Sequence, residues 1–211
     1  KTTFLNLLLG KYEYQGNISA SVSFSYFPYH IADKTIFAID VVEEIYPEYQ
    51  YWQLAREMNA LQLDEDVLYR PFETLSNGEQ TKLMLAVLFL KENNFLLIDE
   101  PTNHLDIQGR ELVSRYLNSK KGFILVSHDR AFLDGCVDHI LSINKANIEV
   151  CRGNFSTWYE NKQRQDAFEQ AENDKLKREI RRLEETAKEK ADWSDTAERR
   201  KLRRNPMEVD N

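Results

Sequence analysis

Two short runs without a polar residue, FLLI at 95–98 and FILV at 123–126, constrain this chain more than any other feature. A strand with one wet face alternates apolar and polar residues, and these runs do not. Their length and uniformity fit parallel strands covered on both faces. The stretch between them, IQGRELVSRYL, has helical spacing and supplies the crossover that parallel neighbours require. With 211 residues, 42% of them hydrophobic, the chain can bury one full core with some length left over. The predicted class is α/β with a mostly parallel sheet.

The first run continues into Asp99 and Glu100 and stops at Pro101, giving FLLIDEPTNHLD over residues 95–106. Two adjacent carboxylates at a strand end do nothing for folding, so they need something to hold. The carboxyl edge of an α/β sheet is where such folds bind ligands. There Asp99 can hold a magnesium ion through water, and Glu100 can orient and deprotonate an attacking water. Solvated loop carboxylates are the alternative, and they leave the other motifs unexplained.

Three further motifs bear on that edge. Lys1-Thr2-Thr3 precedes the apolar helix TTFLNLLLG, which Gly10 stops, and matches the end of a phosphate loop, GxxxxGK[ST]. In that reading Lys1 reaches the β- and γ-phosphates, Thr2 binds magnesium, and the amides at the helix start face the phosphate. LSNGEQ (75–80) opens the helical stretch EQTKLMLAVLFLKE (79–92). Ser76 and Gly78 offer an anion a hydroxyl and free amides there. A plain cap by Ser76 or Asn77, with Glu79 in the first turn, fits equally well. SHD (127–129) follows FILV directly and puts His128 at the same edge as Glu100, within reach of a γ-phosphate.

Elsewhere SVSFSYF (21–27) reads as a half-buried strand ended by Pro28, and YWQLAREMNALQL (51–63) as a helix. From Phe155 the character changes. Glycine is absent from 154 to 211, and Leu176, Ile180, Leu183 and Ala187 recur at intervals of 4, 3 and 4. These features predict a long helix with a thin apolar stripe, ended by Pro206. The net charge of −7 resides in residues 1–159, which hold 14 basic and 21 acidic groups, while residues 160–211 hold 14 of each. A domain over 1–154, with a helical subdomain at about 30–90, is thus expected to precede a charged helical segment over 155–211. Lys at position 1, inside a motif, makes the chain read as a piece of a longer one. Cys136 and Cys151 lack metal-ligand spacing and read as small buried hydrophobes in a reducing cytosol. No apolar run approaches the length of a membrane span.

The order KTT, LSNGEQ, DEPTNHLD, SHD resembles the ATP-binding cassette (ABC) ATPases, with a P-loop fold of ABC type, a small helical subdomain and ATP and Mg²⁺ as cofactors. The resemblance implies Glu100 and His128 as catalytic residues. It implies Lys1, Thr2, Thr3, Ser76, Asn77, Gly78, Glu79, Gln80 and Asp106 as nucleotide-binding, and Thr2 and Asp99 as magnesium-holding. The signature residues and Asp106 would serve the nucleotide of a second cassette. EPTNHLD, SHDRAFLD (127–134) and GNFSTWYENK (153–162) look like the ABC-F proteins. These are soluble, cytoplasmic and ribosome-acting, with two cassettes on one chain joined by a charged helical linker that the tail would begin. FETLSNGEQTKLMLAVLF and the stretch ending near ADWSDTAERRK resemble the branch that protects ribosomes from lincosamides, pleuromutilins and streptogramins. Arg199, Arg200, Lys201, Arg203 and Arg204 would then meet RNA near the transfer RNA site. A solvated helix end is the plainer reading of that cluster. Two departures stand out. Asn77 replaces a glycine of the signature and is expected to tolerate a positive φ there, and Tyr29 stands where the family carries a magnesium-contacting Gln. Competing readings are the nucleotide-binding subunit of a membrane transporter, a translation factor without a resistance role, and a non-catalytic interaction module.

Overall fold

The computed structural model describes residues 1–144 and 147–204, the last four as helix backbone alone. Its contacts divide the chain into two units, Lys1–Trp158 and Tyr159–Asn211. In the first unit, β1 (Ser23–Phe27), β2 (Asn94–Asp99) and β3 (Phe123–Val126) form a parallel sheet in the order β1-β2-β3. Leu96, Leu97 and Ile98 of the central strand are fully buried, as a strand covered on both faces must be. All four residues of β3 are only half-buried. The expectation of full cover holds for Leu96–Ile98 but not for the half-buried Phe95, and it fails for FILV because β3 is an edge strand among the described residues. β1, the other edge, shows no regular alternation either.

Six helices surround this sheet or branch from it: α1 (Thr2–Leu8), α2 (Ala38–Ile45), α3 (Tyr51–Ala60), α4 (Asn77–Leu88), α5 (Ile107–Asn118) and α6 (Arg130–Cys136). Between β1 and β2 the chain makes no strand among the described residues and builds the helical subdomain from α2, α3, two short 3-10 turns and α4. α2 presents Ala38, Val41, Val42 and Ile45 to the core at helical spacing. In α4 every residue from Leu83 to Leu88 is buried, so the helix passes through the core. α3 ends at Ala60, three residues short of the predicted limit, where Gln62 turns the chain with φ of 49°. α4 starts two residues earlier than EQTK and stops at Leu88, before Asn93 turns the chain into β2 with φ of 51°. After α6 come β4 (His139–Ile143) and β5 (Ile148–Arg152), an antiparallel hairpin that the sequence did not announce.

The helical subdomain is tied to the sheet-bearing part by a buried charge. Glu57 of α3 is 4% exposed. Its Oε2 accepts a hydrogen bond from the Tyr116 hydroxyl of α5 at 2.8 Å and a second from Lys120 Nζ. Its Oε1 accepts from Arg56 at 3.1 Å. Burial alone would raise the Glu57 carboxyl, but the bonds from Lys120, Tyr116 and Arg56 outweigh it and leave the group below its usual range.

The long helix α7 (Phe155–Arg204) opens in the first unit and forms the described part of the second. Leu176, Ile180 and Leu183 lie on it more than half exposed, so its apolar stripe is formed but uncovered. Pro206 lies outside the described residues, as do the side chains of residues 201–204. Among the described residues no helix is long and apolar enough to cross a membrane. Cys136 is buried and Cys151 half-buried, both as free thiols.

Candidate functional site

Sheet register assembles the site. Asp99 pairs with Val126 across β2 and β3, so the next residue of each chain segment leaves the sheet at the same edge. Glu100 N continues the ladder by donating to Val126 O at 2.8 Å. One residue further, the backbone N–H of His128 donates to Glu100 Oε2 at 3.2 Å, and His128 Nε2 lies 3.4 Å from Oε1. Oε1 is nonetheless buried and accepts no hydrogen bond. Glu100 also sits in the left-handed region at φ of 50°. For a residue with a Cβ this conformation costs about 1–3 kcal/mol and persists only where the surroundings enforce it. The Glu100 carboxylate thus sits on a strained backbone with one buried oxygen that accepts no hydrogen bond.

Asp99 is held from two sides. Thr2, at the first position of α1, donates from Oγ1 to Asp99 Oδ2 at 2.8 Å across 97 residues of sequence. The Tyr26 hydroxyl donates to the same oxygen at 3.0 Å. The phenol is pushed up to about 12 by burial and then by its bond to the Asp99 carboxylate, so it remains a donor at neutral pH. Hydroxyl and carboxylate oxygens are hard donors, the set that suits Mg²⁺. The residues present therefore fit a magnesium-bearing phosphate group, with Thr2 and Asp99 to hold the ion. Lys1 is exposed at the N-cap position of α1, with no side-chain bond to the helix.

Behind this edge the motifs lock to one another. Ser127 and Thr102 are buried with their hydroxyls 3.3 Å apart, joining the segment after β2 to the segment after β3. Asp129 caps α6 by accepting from Phe132 N at 3.0 Å, and pairs with Arg110 of α5 at 3.1 Å. Asp106 caps α5 by accepting from Gly109 N at 2.8 Å.

LSNGEQ forms a helix cap. Ser76 Oγ accepts from Glu79 N at 3.2 Å, and Glu79 Oε2 accepts from Ser76 N at 2.7 Å, which makes a reciprocal capping box on α4. Gln80 Nε2 donates to Phe72 O and Leu75 O. The tolerance of positive φ expected of Asn77 is not called upon. Asn77 is the first residue of α4, outside the positive-φ set, so its replacement of glycine costs no left-handed strain. Gly78 likewise has room for a Cβ, with its nearest neighbour at 3.7 Å. The structure thus brings Thr2, Asp99, Glu100 and His128 together, while the helix-cap residues Ser76, Glu79 and Asp106 do local work within this chain. Thr3 is exposed on α1. Arg199 and Arg200 are exposed on α7, in the second unit. Tyr29 is half-buried and packs against the core.

Tyr26 is the site residue that sequence reading missed. Its signal was its register in SVSFSYF, because Tyr26 pairs with Leu97 and so shares a face with Asp99 two residues on. Thr102, Ser127, Asp129 and Arg110 were also missed, since hydrogen bonds between loops leave no periodic trace.

This is the fold of the ABC-type P-loop ATPases: a parallel sheet with helices, a helical subdomain and a two-carboxylate edge. Residues 1–103 match the family model described as ABC transporter, and the chain carries such a domain with homologues in the ABC-F group. Putative ATP-binding protein YdiF of Bacillus subtilis (strain 168) is 35% identical over 174 residues, 78% of this chain and 27% of that protein. Energy-dependent translational throttle protein EttA of Haemophilus influenzae is 38% identical over 135 residues, 63% of this chain and 24% of that one. Ribosome protection protein VmlR of B. subtilis is 35% identical over 129 residues, 61% and 24% respectively. The chain thus spans about a quarter of the length of these curated relatives. Among solved structures, an inward-facing putative metal-chelate type ABC transporter aligns with a TM-score of 0.59 at 23% identity, over 72% of this chain and 67% of that one. A model of ribosome-bound archaeal Pelota and ABCE1 aligns with a TM-score of 0.55 at 26% identity, over 67% and 25%.

Proposed function

We propose that this chain is the ATP-binding and hydrolysing cassette of a two-cassette protein of the ABC-F group that acts on the ribosome. The observation that carries the hydrolytic part is Glu100: left-handed backbone, a buried carboxylate oxygen that accepts no hydrogen bond, and a place beside the Thr2–Asp99 bond. Mg²⁺ bound with ATP supplies the positive charge that offsets charge on the β- and γ-phosphates. Thr2 and Asp99 hold the ion, and Lys1 and Thr3 lie at the phosphates. Glu100 orients the attacking water and takes its proton at the free Oε1. His128, whose side chain is 83% exposed, is free to meet the γ-phosphate.

Ser76, Asn77, Gly78, Glu79, Gln80 and Asp106 serve the nucleotide of the second cassette on the same full-length protein. The exposed start of α4, already ordered by its capping box, supports that role. Residues 1–154 are the cassette, and 155–211 the start of the helical linker. The ribosome as partner is supported by the likeness to EttA and VmlR, whose names tie them to translation and ribosome protection. A cytoplasmic location and action against lincosamides, pleuromutilins or streptogramins follow from the same reading. On the linker, Arg199, Arg200, Lys201, Arg203 and Arg204 contact ribosomal or transfer RNA.

The test is Glu100→Gln in the full-length protein. Hydrolysis is expected to slow by roughly 10²–10⁴-fold, and the protein to pellet with ribosomes when ATP is added and not without it. Near-normal turnover refutes Glu100 as the base. Recovery in washed membranes in place of ribosomes would make the chain a transporter subunit.

A further inference from the structure

We propose that Tyr26 is a positioning residue for the metal-bearing carboxylate: its hydroxyl holds Asp99 in the orientation that faces Thr2, and so sets how tightly magnesium joins the bound nucleotide. This rests on the magnesium-nucleotide reading of the site given above.

Parallel pairing of Tyr26 with Leu97 puts its side chain on the face of β2 that carries Leu97 and Asp99. The phenol donates to Asp99 Oδ2 at 3.0 Å. Thr2 donates to the same oxygen at 2.8 Å. One carboxylate oxygen accepting two charge-assisted bonds from opposite elements, α1 and β1, leaves Asp99 little freedom to rotate. The two bonds differ in what they can do later. The Thr2 hydroxyl is itself a magnesium ligand in this reading, so its geometry answers to the ion. The Tyr26 hydroxyl has no such second duty and stays on the carboxylate. The ring is steadied by Lys11, whose Nζ lies 5.3 Å from the ring centroid.

Tyr26→Phe keeps the ring and removes the donor. In full-length protein, binding of a methylanthraniloyl-ATP is measured without metal and then across a magnesium titration. Metal-free affinity is expected to stay within about twofold of wild type, while half-saturation by magnesium shifts upward by about tenfold, the worth of one hydrogen bond to a charged group. At saturating magnesium, kcat should fall by less than that shift. Superimposable magnesium curves would overturn the proposal, and so would an equal loss of affinity without metal, which marks a packing role. Asp99→Asn in the same assay separates the levels. If it leaves the magnesium response intact, the reading of the site itself fails. If it abolishes the response while Tyr26→Phe behaves as wild type, only the role of Tyr26 fails. The double variant should show no further loss beyond Asp99→Asn, and additive losses would also refute the link.

Discussion

Glu57→Gln should unfasten the helical subdomain at a cost the structure lets one bound. The substitution keeps the shape of the side chain and removes its charge. Glu57 is 5% exposed at its side chain and Lys120 21%, so the pair is largely out of water. Breaking a buried pair costs about 3–5 kcal/mol when the surviving charge is trapped. Lys120 is not fully trapped: its ammonium can swing toward solvent, which lowers the upper end. Tyr116 keeps a neutral partner in the new amide, so its bond weakens to about 1 kcal/mol without vanishing. The expected loss is therefore about 2–4 kcal/mol, or roughly 5–15 °C in Tm for a unit of this size. Paired thermal and denaturant melts measure it, and a cycle with Lys120→Met should return a coupling above about 1 kcal/mol. The pH dependence has a definite sign. The Glu57 carboxyl lies below its ordinary value of 4.5 in the folded chain, so its contribution is present above that value and disappears as the pH falls through the lower, folded one. The gap between wild type and variant should be flat from neutral pH downward and close in acid below about 4.5. A loss under about 1 kcal/mol, additive effects, or a gap that widens in acid would refute this account of the cluster.

Gly135→Ala should destabilise by about 1–3 kcal/mol, because a Cβ there would lie 2.3 Å from Ser114 Oγ. Ser114→Ala made first should remove most of that cost, since the added Cβ would then meet the Ser114 Cβ at an ordinary 3.6 Å, and melts of the single and double variants decide it. Neutralising Arg199, Arg200, Lys201, Arg203 and Arg204 should weaken ribosome pelleting and flatten its salt dependence by roughly 0.7–0.9 in log–log slope per lost phosphate contact. An unchanged slope would leave that cluster as a solvated helix end.

Local order determined a good deal here. The uninterrupted apolar run FLLI marked the strand that lies innermost, and the adjacent carboxylates after it marked the sheet edge. LSNGEQ showed a helix cap in the sequence, by Ser76 or Asn77, because a cap is a contact between near neighbours, and the structure settled it on Ser76 as a capping box with Glu79. Gly10, placed as a stop for α1, adopts a φ of 69° just past its end. What only the tertiary structure decided is which distant groups share an atom or a cleft. Asp99 Oδ2 joins residues 2, 26 and 99, and Glu57 joins α3 to α5 across 59 residues. Such pairings depend on strand register and helix docking, which no local period encodes. The half-buried state of β3 and the strained backbone of Glu100 have the same origin, since the first depends on what lies beside the sheet and the second on what the neighbouring strand end demands of the chain.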